Sequence, residues 1–175
     1  LADRLSVNLE APTARRLSAI CPEKSFERDL MRPLRWAAER VQPGQVRSGL
    51  TSQFVVGASD ETDRELLETT WRLTAEIGLA RSYFSGFCPV PDTPLEGREP
   101  VAPGREARLY QAEFLMRSYG FSFNELVFDD EGMMPLDRDP KMVSALARRD
   151  EFPIEVNAAD RWELLRVPGI GPTAA

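Results

Sequence analysis

Hydrophobic and polar positions first alternate and then take up helical spacing. Over residues 4–12, RLSVNLEAP, Leu5, Val7 and Leu9 fall on one strand face and Ser6, Asn8 and Glu10 on the other. Pro12 ends that strand, and Thr13 can cap a short helical stretch. Phe26, Leu30, Leu34, Ala37 and Val41 recur at helical spacing, which predicts a helix over 23–42 that Pro33 should kink or split. Residues 43–49 read as a loop, and LTSQFVVG, 50–57, as a β-branched strand. A capping-box pattern at Thr62 and Glu65 opens a helix that Gly78 closes. Residues 80–87 predict a third strand, followed by a proline-rich loop and a helix over 105–119 ending at Gly120.

The rest of the chain reads as helical. Ser122 and Glu125 form another capping box, Asp139-Pro140 starts a helix ending near Arg149, and Asn157 is expected to cap a last helix running to about Arg166. Three strands alternating with helices imply parallel strands with crossover helices. Three are too few to close a barrel, which needs about eight. The expected fold is therefore α/β: a three-stranded parallel part of a (β/α) barrel over 1–120, then a helical appendage over 121–175. An open sheet of this kind should leave its edges unpaired and apolar surface exposed, giving an oligomer or a loosely packed monomer.

Composition narrows the chemistry. The 175 residues hold no histidine and only Cys21 and Cys88, which removes Ser-His and Cys-His catalysis and the commonest metal ligand. A disulfide scaffold is not expected, and a reducing, cytoplasmic home is. No run is long and apolar enough to cross a bilayer. The net charge of −6 leaves nucleic-acid binding to local features. The first residue is Leu1 and not Met, which reads as a piece of something longer or a processed product.

In parallel α/β folds, ligands sit at the C-terminal strand ends. The first end offers Asn8 and Glu10, either a polar interior layer or a hydrogen-bonding pair for a ribose or amino group. The second, VVGASDET, has a glycine that admits close backbone approach and acids at a helix start, which simple capping would also explain. The third, SGFCPVPDTPLE, is a loop stiffened by prolines, able to present backbone groups to a planar ring or merely to connect.

Together these ends resemble the second half of the barrel in radical S-adenosylmethionine enzymes. NLEAP resembles the fourth-strand segment that contacts the cofactor's ribose and methionine part, which would fall on Asn8 and Glu10. QFVVGASDET resembles the fifth-strand motif packing near adenine, with Val55 and Gly57 in those positions. SYFSGFCPVPDTPLE resembles the sixth-strand exit, whose backbone recognises adenine, here at Cys88 and Pro89. The likeness is greatest to a subgroup that joins this barrel to a helix-hairpin-helix and is described as acting in DNA modification or repair. It implies S-adenosylmethionine and a [4Fe-4S] cluster in the parent protein. The family's cluster motif, CxxxCxxC, is absent, so the cluster-binding half of the barrel would lie outside this chain, which alone should be inactive. Asp92 stands where related loops often have glycine.

The tail, LLRVPGIGPTAA, bears on the same question. Helix, Gly-Ile-Gly turn, helix resembles the helix-hairpin-helix of DNA-binding proteins, here with its second helix cut off at Ala175, and with Val167, Gly169, Ile170, Gly171 and Thr173 as the nucleic-acid-binding residues and Ile170 as core anchor. Glycines admit a phosphate to unpaired N–H groups at a helix start. A helix C-cap with a tight turn would look similar. Alternatives to the enzyme reading are a non-catalytic nucleic-acid-binding fragment and part of a DNA glycosylase, the latter disfavoured by the upstream strands.

Overall fold

A computed structural model describes residues 2–41, 46 and 48–175. The expected helix end at Gln42, and Pro43, Gly44, Gln45 and Arg47 of the expected loop, lie outside the described residues. Three strands, β1 (Leu5–Ser6), β2 (Leu50–Val56) and β3 (Leu79–Gly86), form an open parallel sheet in the order β1-β2-β3. Between them run α1 (Ala14–Ile20), α2 (Arg32–Arg40) and α3 (Asp63–Ile77); α4 (Arg105–Tyr119), α5 (Pro140–Ala147) and α6 (Arg161–Leu164) follow.

Strand pairing separates the two faces of the sheet. Ser52, Phe54 and Val56 pair with Ser82, Phe84 and Gly86, and this face carries the core. The Phe54 and Phe84 rings stack at 6.1 Å, and buried Leu66, Leu67 and Leu73 of α3 and Leu109 and Ala112 of α4 belong to the same cluster. The Thr70 hydroxyl of α3 reaches Ser82 Oγ at 2.9 Å. The other face bears Thr51, Gln53 and Val55 opposite Arg81, Tyr83 and Ser85. Arg4 Nη1 donates to the Tyr83 hydroxyl at 2.8 Å across this face. An all-parallel sheet is ordinarily apolar on both sides. Here the unroofed face is polar except for Val55, which corrects the expectation of apolar surface on the sheet. The large exposed apolar residues lie off the sheet, Trp36, Trp71, Phe114, Met142 and Trp162 on helices and Val90, Leu136 and Val156 in loops.

The free edge of β3 is also blunted. The Tyr110 hydroxyl donates to Phe84 O at 2.9 Å and accepts from Phe84 N at 3.0 Å, while Gly86 N donates to Glu106 Oε2 at 2.8 Å. Side chains of α4 thus occupy groups that an edge strand would offer to another chain.

The first strand is shorter than its alternation predicts. Val7 N donates to Thr51 O and Glu10 N to Gln53 O, so three steps along this chain match two along β2. The extra residue makes a bulge at 8–9, where Leu9 N turns to Ser52 Oγ at 3.3 Å. Glu10 then adopts φ 64°. The strict sharing of one face by Ser6, Asn8 and Glu10 is lost.

Pro33 splits the second helix as expected. A π-helical segment, Phe26–Met31, capped by the Ser25 hydroxyl, leads into α2, with Pro33 in its first turn, where no i−4 bond is demanded of it. Both capping boxes form, but the one at Ser122 opens only the single turn Phe123–Glu125. The last helix is capped by Asp160 with Glu163, not by Asn157, and its four residues end at Leu164. Asn157 N donates instead to Glu155 Oε1 within the preceding turn. Phe121, Leu126 and Met134 belong to the same core cluster as the sheet, so 121–134 is packed onto it. Among the described residues, no helix is long and apolar enough to cross a membrane.

Candidate functional site

The C-terminal ends of the strands bring most of the candidate residues to one edge. Glu10 O accepts from Val55 N at 2.8 Å, and Phe87 N donates to Val56 O at 2.8 Å, so Glu10, Val55, Gly57 and Cys88 follow one another along it. Val55 is half-buried on the open face, Asn8 is exposed with its Oδ1 accepting from Ser6 Oγ, Cys88 is exposed and Pro89 half-buried. Glu10 is half-buried in a left-handed conformation that costs a residue with a Cβ about 1–2 kcal/mol. Such strain persists only where surrounding bonds over-determine it, and here both its N–H and its C=O are held by β2.

Gly57 has φ 91°, and the room beside it is taken by the chain itself. A Cβ there would stand 3.2 Å from Val101 Cβ, and one at Gly86 would stand 2.7 Å from Val101 Cγ1. The close approach these glycines permit is thus made by the proline-rich loop, whose Val101 N donates to Phe87 O at 3.0 Å. Nothing in the sequence singles out Val101. Asp92 has φ 60°, with its N–H donating to Glu96 Oε2 at 2.8 Å. It keeps the left-handed backbone that glycine would supply, and aspartate is one of the few residues that tolerate it.

The acids after β2 are structural. Glu61 accepts from Gly57 N at 2.5 Å and from Ser59 N and Oγ at 3.1 and 2.9 Å. Asp63 accepts from Arg105 Nε at 2.7 Å and from Met134 N at 2.9 Å. Arg105 Nη2 also meets Glu61 O at 2.7 Å and Glu61 Oε1 at 3.2 Å. All three side chains are buried, and the network ties the β2 exit to α4 and to the loop before α5. Arg105 carried no sequence signal, because its partners lie more than 40 residues away. Asp60 stays at the surface, its carboxyl held below the usual range by the Arg98 guanidinium.

In the tail, residues 172–174 form a turn in which Ala174 N and Ala175 N donate to Gly171 O. Ile170 N donates to Val167 O, and the turn is pinned by Lys141, whose Nζ donates to Ile170 O at 2.5 Å and lies 4.7 Å from the Tyr119 ring centre. Burial pushes the Lys141 ammonium pKa down. Gly169 has φ 88° with no atom near its missing Cβ, whereas Gly171 faces the Tyr119 hydroxyl at 3.6 Å. Ile170 and Val167 are half-buried and Thr173 is exposed. The helix before the turn is held by Arg166, whose Nε donates to Glu125 Oε1 at 2.7 Å beside Arg148 Nη1 at 2.8 Å.

The donor set separates the two implied cofactors. Exposed Asn8, the Glu10 carboxylate and the backbone of the Phe87–Pro89 exit are hydrogen-bonding groups of the kind a small ligand with hydroxyl and amino groups would need. They do not fit an iron–sulfur cluster: Cys21, half-buried with its thiol donating to Glu23 Oε1, lies far in sequence from Cys88. Among the described residues, no group of three or more His, Cys, Asp or Glu could hold a metal ion. No family model and no solved structure matches the chain.

Proposed function

We propose that this chain supplies the S-adenosylmethionine-facing part of a radical S-adenosylmethionine enzyme acting on or near nucleic acid, in DNA modification or repair. One observation carries the reading: a parallel sheet roofed by helices on one face, polar on the other, with Asn8, Glu10, Val55 and the Cys88–Pro89 exit at its C-terminal edge. Bound there, S-adenosylmethionine would supply the radical chemistry. Asn8 and Glu10 would take its ribose and amino acid part, Val55 would pack against adenine, and the backbone after Phe87 would read the ring edge. The cluster ligands must come from residues this sequence does not contain. The Gly169–Gly171 turn would hold a backbone phosphate of the nucleic acid, giving affinity without sequence choice.

Calorimetric titration with S-adenosylmethionine tests the site. Binding that falls about tenfold in Asn8→Ala and Glu10→Ala supports it, since each variant removes a polar contact of about 1.5 kcal/mol. Equal affinity in both variants reduces these residues to structural polar groups. The second reading, nucleic-acid binding without catalysis, is favoured if duplex DNA binds and S-adenosylmethionine does not.

A further inference from the structure

Away from the strand ends, a cavity of about 300 Å³ opens between α3 and α4 beneath the start of β3. Trp71, Leu79 and Met116 supply apolar walls, and Glu113 and Arg117 supply the charged one. Glu113 is only 3% exposed. Its Oε1 accepts from Arg117 Nε at 2.8 Å, and its Oε2 has no hydrogen-bond partner among the described residues. That second oxygen keeps access to solvent, and Glu113 lines both this cavity and a shallower recess shared with Arg81 and Phe114. A carboxylate oxygen set this deep yet still reachable from solvent is free to accept from a donor.

The remaining polar wall also asks for a donor. The Thr70 hydroxyl is engaged by Leu66 O and Ser82, and the Thr74 hydroxyl by Thr70 O and Leu79 O, so both turn only lone pairs outward. The Arg117 guanidinium lies 5.3 Å from the Phe114 ring centre. Trp71 also lines a neighbouring groove with Glu65, Glu68, Arg72 and Glu76, where Arg16 pairs with Glu65 and Arg72 lies 4.0 Å from Glu76. The approach thus presents the aromatic face of Trp71 and the carboxylate of Glu68, in a chain of net charge −6.

We propose that this cavity binds a small organic cation, a primary ammonium carried on a short apolar body. The body sits between Trp71 and Met116, and the ammonium donates to Glu113 Oε2 and to the threonine oxygens. One carboxylate can serve two cations, as Glu125 does here with Arg148 and Arg166. The site is independent of the strand-end reading above.

Benzylammonium is the probe, with benzyl alcohol as its neutral counterpart, measured by calorimetry and by amide shifts in NMR. The full chain is expected to bind the ammonium about tenfold tighter than the alcohol, the worth of a charge-assisted hydrogen bond. The shifts should centre on Thr74 and Met116. Glu113→Gln should abolish the preference, and Met116→Trp, which fills the space and keeps the carboxylate, should abolish binding of both. Equal affinity for ammonium and alcohol, shifts elsewhere, unchanged binding in a folded Met116→Trp, or no binding at all, as of a cavity holding only water, overturns the proposal.

Discussion

The hydroxyl of Tyr110 both donates to the carbonyl and accepts from the amide of Phe84, closing with one side chain the backbone that β3 would present to a neighbouring strand. The ring is part of the same arrangement, meeting Phe84 edge-on at 5.4 Å. With Glu106 on Gly86 N, it makes β3 a finished edge.

Tyr110→Phe keeps the ring contact and removes only the hydroxyl. It should cost about 1–3 kcal/mol in urea unfolding, because two backbone groups lose their partner. The variant should also associate more readily by light scattering, since the edge is reopened. A variant that stays as stable and as dispersed as the parent would mean that water serves Phe84 equally well.

Arg105 stands between two buried carboxylates. Arg105→Met leaves Glu61 and Asp63 without their guanidinium and should destabilise the chain by about 3–5 kcal/mol in denaturant melts. Removing one of the two stranded charges with Asp63→Asn in the same chain should recover part of that loss, which a double-mutant cycle would read directly.

Glu10 sets stability against binding. Glu10→Gly relieves the left-handed strain and should raise stability by about 1 kcal/mol or slightly less, after the greater chain entropy of glycine is deducted. The same change should weaken S-adenosylmethionine binding. A variant that loses stability shows that the carboxylate itself contributes to the fold.

Glu125 makes the tail sensitive to acid. Burial raises its pKa, but the Arg166 guanidinium, the Ser122 N–H and Arg148 outweigh this and hold it down at about 2. A depressed folded value means stability that is present above the unfolded value near 4.5 and lost as pH falls toward 2. Melts across that window should show a steeper loss for the parent than for Glu125→Gln, which should be weaker at neutral pH and flatter in acid. Equal slopes would assign acid sensitivity to other carboxylates.

The two tail glycines separate fold from contact. A Cβ at Gly171 meets the Tyr119 hydroxyl at an ordinary 3.6 Å without backbone strain, so Gly171→Ala should fold as the parent does. Gly169→Ala should cost about 1 kcal/mol, because φ 88° disfavours any side chain. Fluorescence anisotropy with two unrelated duplexes should show Gly171→Ala binding both more weakly and to a similar degree. Unchanged affinity would leave the turn as a structural cap pinned by Lys141.

By itself the sequence determined the elements whose signals are local. The β-branched run at 50–56, the Thr62–Glu65 box, the helix closed by Gly78 and the proline at the start of α5 all act within a few residues of themselves, so their spacing was enough. Parallel order followed from the alternation of strand and helix. Only the tertiary structure decided the rest. The bulge at 8–9 arises because Leu9 N finds Ser52 Oγ, a partner 43 positions away, and it dissolves the simple pairing of Asn8 with Glu10. Val101 fills the space beside Gly57 and Gly86, and Tyr110 ends the sheet at Phe84, each through contacts that no local pattern encodes. The position of the tail is likewise a tertiary matter. Four residues of α6 are too few to hold themselves, and their position comes from Arg166 on Glu125 and from buried Leu165.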